Sequence, residues 1–314
     1  MGQTANADPA AGRVTVIGLG SMGSGMALSL LRAGLAVTGF DVNPAAVARL
    51  EEAGGSGAAS PAAAAERASV VVSVVLNADQ TEAVLFGEGG CAAAMVPGSV
   101  FVSSATMAPS AARDLAARLE ALGVHYLDAP ISGGAQRAAE GALTVLASGP
   151  AEAFSAAETA LAAMAAKVFR LGDAVGTASG LKIVNQLLAG VHIAAAAEAM
   201  AFADAHGLDL RTVYEVITAS AGNSWMFENR VPHILDDDYA PRSAADIFVK
   251  DLGIVLDIAR ADRIPVPLAS TALQSFLMTS AAGMGRDDDA SVYRLYRSIR
   301  DGSGANETEK GGKA

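Results

Sequence analysis

Residues 13–41 read RVTVIGLGSMGSGMALSLLRAGLAVTGFD, and this stretch decides the fold. Residues 14–17 have the apolar character of a short buried strand. Gly18-Leu19-Gly20-Ser21-Met22-Gly23 follows without a gap and opens a helix over 22–33. Gly34 stops that helix, and residues 36–40 form a second strand ending in Asp41. Strand, glycine turn, helix, strand and acid in this order are the dinucleotide-binding fingerprint in the context it requires. Gly18 permits the tight turn, Gly20 lets backbone approach a pyrophosphate, and Gly23 lets helix and strand pack closely. The pyrophosphate is expected at the helix N-terminus, against free N–H groups. The Asp41 carboxylate suits a ribose hydroxyl and repels a 2′-phosphate, so the expected cofactor is NAD rather than NADP. FAD shares the fingerprint, but there is no second flavin motif.

The alternation continues to about residue 175. Helices are expected over 44–53, 61–67, 79–86, 108–122 and 151–165. Strands are expected near Ala58 and over 69–76, 99–103, 124–127 and 142–147, with 168–171 closing the sheet. The near-continuous apolar run SVVVSVVL is what a central parallel strand shows. Asn77-Ala78, after Leu76, then falls at a strand C-terminus, where ligands bind in open α/β sheets, and the strand over 99–103 ends in Ser104-Ala105-Thr106; Leu76, Asn77 and Thr106 are expected cofactor contacts. Ser132-Gly133-Gly134 can aim successive N–H groups into one concavity, a nest for a carboxylate, although an ordinary glycine turn reads the same way.

Residues 176–206, GTASGLKIVNQLLAGVHIAAAAEAMAFADAH, read as one helix of unusual length. Thr177 or Ser179 can cap it, and Gly207 stops it. Nearly all of it is apolar, so it is buried on most sides. Lys182, Asn185 and Gln186 nevertheless sit together in its first turns; such a lysine is either used or snorkels to the surface. The remaining pattern is helical, over 209–219, 246–262, 268–283 and 290–299. Trp225 and Phe227 line a pocket or fill the core, and Lys250 is functional or snorkelling, with Asp251 structural. The expected architecture is α/β: a Rossmann-type doubly wound sheet domain, residues 13–175, joined by a long helix to an all-α second domain, 176–300. Flexible tails are expected at 1–12 and 301–314.

Composition sets the boundaries of function. The net charge of −11 over 314 residues argues against nucleic acid or an anionic membrane surface as partner. The single cysteine, Cys91, rules out an internal disulfide framework and a cysteine-built metal site, and the four histidines form no metal-binding pair. No metal is expected. The apolar run 187–203 is broken by His192 and Glu198 and is shorter than a membrane span. The N-terminal residues have no secretory pattern, so a cytoplasmic location is expected.

GLGSMG, LDAPISGG, Gly180-Leu181-Lys182 and Lys250-Asp251-Leu252 together resemble the β-hydroxyacid dehydrogenase family, which includes 3-hydroxyisobutyrate dehydrogenase and tartronate semialdehyde reductase. The resemblance runs from about Arg13 to Ile299. LKIVNQLLAGVHIAAAAEAMA, AGNSWMFENR, DIFVKDLG and PLASTAL resemble a subgroup that oxidises a four-carbon sugar acid. It implies NAD-dependent oxidation of a short hydroxy acid, with Lys182 as general acid/base. Ser132, Gly133 and Gly134 would hold the substrate carboxylate, with Asn185 or Gln186 as the substrate carboxamide. Thr106 and Lys250 would contact the cofactor or its surroundings. Homodimers or homotetramers are implied. Three departures stand out: Gln186 occupies the position where the family often has Asn, Ala105 precedes Thr106 in place of Ser, and Asn77 replaces Pro. A non-catalytic NAD-binding regulator would need no lysine among buried carboxamides. For Lys182 to act as base near neutrality it must titrate roughly 3 pH units below a free lysine, worth about 4 kcal/mol. A helix N-terminus supplies only about 0.3–1 kcal/mol, so desolvation, with Lys250 or NAD⁺ nearby, must supply the rest.

Overall fold

A computed structural model describes residues 12–302. The chain forms two compact units, with the division between Lys182 and Ile183. The tail expectations for 1–12 and 301–314 fall almost wholly outside the described residues.

The first unit begins with β1 (Arg13–Ile17), α1 (Ser21–Arg32), β2 (Ala36–Phe40), α2 (Pro44–Glu52), β3 (Ser56–Gly57), α3 (Pro61–Ala65) and β4 (Val70–Ser73). It continues with α4 (Ala78–Phe86), β5 (Val100–Ser103), α5 (Pro109–Glu120) and β6 (His125–Asp128). These six strands form one parallel sheet in the order β3-β2-β1-β4-β5-β6. The order reverses between β1 and β4, and the glycine turn after β1 opens at that switch point, where such sheets bind ligands. The period-2 pattern explains the two covered faces. Val14, Val16, Val70, Val72, Val100 and Val102 enter one core with Met26 and Leu30 of α1. Ile17, Val71 and Phe101 enter the other with Leu115 and Leu119 of α5. Each such side chain contributes about 1.5–3 kcal/mol by leaving water.

β7 (Ile131–Ser132), α6 (Gly134–Glu140), β8 (Leu143–Ala147), α7 (Ala151–Met164) and β9 (Ala165–Arg170) follow. The expectation that 168–171 closes the main sheet is corrected here. β9 pairs with β8, and β7, β8 and β9 make a separate three-stranded sheet. α6 packs tightly on α1. A Cβ at Gly25 would lie 2.6 Å from the Ala139 nitrogen, Ser29 Oγ donates to the Ala138 carbonyl at 2.9 Å, and Arg32 donates to the Ala139 carbonyl.

α8 (Thr177–Ala205) is a single 29-residue helix; its first turns belong to the first unit and the rest to the second. It is long and apolar enough to cross a membrane by length and composition alone. In the second unit, however, Ile193, Ala197 and Met200 of α8 enter a core with Phe227, Val231, Phe248, Leu252, Phe276 and Tyr293. The partners lie on α10 (Trp225–Leu235), α11 (Ala245–Asp262), α12 (Pro267–Thr279) and α13 (Val292–Arg300); α9 is Leu210–Thr218. A helix expected to run to residue 283 stops regular winding at Thr279, and Gly283 takes a left-handed φ of 84° inside the irregular turn that follows.

Candidate functional site

The glycine turn has the geometry its spacing predicts. Gly18 has φ 92°, a conformation that side chains rarely adopt. A Cβ at Gly23 would lie 1.8 Å from the Gly18 carbonyl oxygen, whereas one at Gly20 would meet nothing within 4 Å. Gly20 is also the N-cap of α1 and supplies no side-chain cap, and the first turn, with Ser21 and Met22, carries no acid. Uncapped amides facing an open, Cβ-free approach fit a pyrophosphate. Asp41, at the end of β2, accepts from the Leu19 N–H at 2.6 Å and the Asn43 N–H at 2.7 Å. These residues fit NAD: amides for the diphosphate and a fixed carboxylate for a ribose hydroxyl.

The other expected cofactor contacts divide. Leu76 is exposed beyond the C-terminal end of β4. Asn77 is the N-cap of α4, its Oδ1 taken by the Gln80 N–H at 2.9 Å, while Gln80 Oε1 accepts from the Leu76 N–H at 2.9 Å. The Asn77 side chain is therefore engaged in capping. Thr106 lies half-buried just past β5. Ser73 and Ser104, at neighbouring strand ends, have buried hydroxyls with no hydrogen-bond partner; sequence reasoning placed Ser104 at a strand end but did not single out Ser73. Their only sequence signal is polarity at the end of an apolar run.

Ser132 ends β7, and Gly133 and Gly134 take φ values of 136° and 77° at the start of α6. Both lie where glycine is favoured, which raises the turn above an ordinary loop. Lys182 is 8% exposed, and its Nζ donates to the Ile131 carbonyl at 2.9 Å, directly before this turn. Lysine and nest, 50 residues apart in sequence, thus share one locality.

The first turn of α8 is not capped by its own Thr177 or Ser179 in the expected way. Asp128, at the end of β6 and 1% exposed, accepts from the Gly176 N–H at 3.0 Å, the Ser179 N–H at 2.9 Å and Ser179 Oγ at 2.7 Å. Ser148 Oγ accepts from the Ala178 N–H at 3.0 Å and lies 3.4 Å from Asp128. Burial pushes the Asp128 carboxyl above the ordinary carboxylate range, and the bonds from Ser179, Gly176 and Ser148 oppose that without overcoming it. An acid at the positive end of α8 also offsets the small helix-dipole contribution at Lys182.

In the second unit, the carboxamides read as alternatives differ in environment. Gln186 is buried, donates Nε2 to Asp251 Oδ2 at 2.5 Å and accepts from Asn185 Nδ2 at 2.9 Å. Asn185 itself is exposed. Lys250 Nζ donates to Asp251 Oδ1 at 2.5 Å. Asp251, fully buried, thereby organises both neighbours. Phe227 is core, whereas Trp225 is 56% exposed, so the two aromatics do not act together. Among the described residues no cluster of His, Cys, Asp and Glu could hold a metal.

Comparison with known proteins places the chain among NAD-binding dehydrogenases. The family model for the NAD-binding domain of 6-phosphogluconate dehydrogenase matches residues 13–172. The model for the NAD-binding region of NADP-dependent 3-hydroxyisobutyrate dehydrogenase matches residues 176–296. The chain is 57% identical to an L-threonate dehydrogenase of Cupriavidus necator, over 91% of this chain and 96% of that protein. It is 50% identical to the L-threonate dehydrogenase of Escherichia coli K12, over 91% and 95%. The solved structure of a Salmonella typhimurium 3-hydroxyisobutyrate dehydrogenase superimposes with a TM-score of 0.85 at 51% identity, covering 90% of this chain and 99% of that one.

Proposed function

Because the chain belongs to the 3-hydroxyisobutyrate dehydrogenase-like family of NAD-dependent hydroxyacid oxidoreductases, we propose that it oxidises L-threonate at C2 to 2-oxo-tetronate. The observation that carries the reaction class is Lys182 Nζ held beside the Ser132-Gly133-Gly134 turn. Similarity to the L-threonate dehydrogenases carries the choice of substrate.

NAD held by Gly18 to Gly23 and Asp41 would supply the hydride acceptor for oxidation at C2. The turn at Ser132, Gly133 and Gly134 offers backbone N–H groups and a hydroxyl to the substrate carboxylate, which needs no net positive charge there. Lys182 takes the C2 hydroxyl proton as the carbonyl forms and returns it in the reverse direction. Asn185 is the substrate carboxamide, because both ends of the Gln186 amide are engaged by Asp251 and Asn185. Gly18 to Gly23 hold the diphosphate, and Asp41 the adenosine ribose. Leu76, Asn77, Thr106 and Lys250 complete the surroundings of the cofactor. Exposed Leu188 and Phe202 on α8 support a homodimer or homotetramer, which light scattering would measure. A cytoplasmic location belongs to the same reading.

The test is NADH absorbance with L-threonate, D-erythronate and 3-hydroxyisobutyrate side by side. L-Threonate is expected to give the highest kcat/KM, and Lys182→Met to lower kcat by about 10²- to 10⁴-fold while NAD still binds. Preference for 3-hydroxyisobutyrate, the substrate named for the solved relative, would replace the proposed substrate. Near-normal turnover by Lys182→Met would remove the lysine from the mechanism.

A further inference from the structure

We propose that Asp128 is a positioning residue, setting Lys182 against the Ser132-Gly133-Gly134 turn by capping the start of α8 across the fold. Lys182 lies three residues after Ser179, less than one helical turn, so whatever fixes the Gly176 and Ser179 amides fixes the base of the lysine side chain. Asp128 accepts both amides and the Ser179 hydroxyl. It also exchanges two backbone hydrogen bonds with Ser148, whose hydroxyl takes the Ala178 amide. Three residues past Asp128 in the chain, the Ile131 carbonyl accepts from Lys182 Nζ, and the nest begins at the next residue. The same short segment therefore holds the root of the lysine at one end and its tip at the other. Gly176 contributes its φ of 96°, which turns its N–H inward where a side chain would meet Pro109 and Arg113.

A capping acid that served stability alone would leave the chemistry of the folded enzyme unchanged. A positioning acid controls turnover through lysine placement, and a misplacement of about 1 Å costs about 10²-fold. The inference rests on Lys182 as the acid/base of the proposed reaction. It is tested in the full chain with NAD and L-threonate. Asp128→Ala is expected to lower kcat by about 100-fold, to leave NAD affinity within about 2-fold, and to accelerate amide exchange in the 174–182 peptide. Asp128→Asn, whose carbonyl can still accept both amides while its NH₂ faces Ser179 Oγ, is expected to restore slow exchange and kcat to within about 10-fold. Where Asp128→Ala does not fold, the double variant Ser148→Ala, Ser179→Ala replaces it, with about a 10-fold loss of kcat expected. Fast exchange with undiminished kcat in either alanine variant, or slow exchange with no recovery of kcat in the asparagine variant, overturns the proposal. Lys182→Met separates the two levels: turnover surviving there sinks the assignment of the lysine, whereas a dead Lys182→Met beside a fully active Asp128→Ala sinks only the role of Asp128.

Discussion

Gly23→Ala adds a single methyl group to the cofactor turn, and its cost follows from one distance. The new Cβ would lie 1.8 Å from the Gly18 carbonyl oxygen, against about 3.4 Å for ordinary contact. The difference, 3.4 − 1.8, is 1.6 Å, and both atoms are anchored in backbone, so no side chain can swing aside to absorb it. The turn must open by that order, carrying the amides of Gly20 to Met22 away from the position proposed for the diphosphate. Hydrogen bonds to a charged group contribute about 1.5–3 kcal/mol each. Losing one weakens NAD binding by about 10- to 150-fold, at about 1.4 kcal/mol per decade. Titration of NADH fluorescence measures the affinity, and far-UV circular dichroism shows that the sheet persists. A folded Gly23→Ala protein that binds NADH within about 3-fold of the parent would refute the reasoning, since the turn could not then be holding the diphosphate as described.

Other perturbations test other parts. Asp41→Ala should weaken NAD by about 10-fold or more, through loss of a charged acceptor, and narrow the preference for NAD over NADP; parallel steady-state titrations with both cofactors measure this. Asp251→Ala leaves the Lys250 ammonium and the Gln186 amide without their buried partner and should lower unfolding free energy by about 3 kcal/mol, read from urea denaturation; Asp251→Asn should lose less. Acid should loosen the second unit. Burial raises the Asp288 carboxyl, but its bonds from His233 and the Ala290 and Arg242 amides outweigh that and hold it below the ordinary value of 3.8. A depressed carboxyl contributes stability that is complete above the unfolded value and disappears as pH falls through the folded one. Urea midpoints between pH 5 and pH 3 should therefore fall faster in the parent than in Asp288→Asn.

Much of the first unit was legible because its signals are local. A strand, a glycine turn and an acid lie within 29 contiguous residues, and steric demands at Gly18 and Gly23 leave few other ways to write them. Lys182 was legible because a lysine beside carboxamides stands out in an alanine-rich helix. What escaped depends on pairing between distant segments. Residues 168–171 look like any short apolar strand, and nothing local distinguishes pairing with β8 from pairing with β6. α6 was missed because seven residues with one alanine pair carry too little periodicity to separate from a loop. Asp128 offered one clue, an acid ending an apolar strand, which burial makes costly unless it is paired. Its partners are backbone amides 48 and 51 residues further on, and amides have no letter in the sequence. Asn77 was read for its place at a strand end, whereas its side chain serves the helix that starts there.

The contact of Gly25 and Ser29 with Ala138 and Ala139 links two helices that each begin at a glycine turn, α1 at the one proposed for the diphosphate and α6 at the one proposed for the substrate carboxylate. With backbone nearly touching backbone, the spacing of those turns works as a fixed gauge. The two ligands are measured against one another by a joint that neither of them touches. A bulkier residue at Gly25 would leave every binding atom in place chemically and still reset the gap that a hydride must cross, so altered turnover in such a variant would report a distance rather than a lost contact.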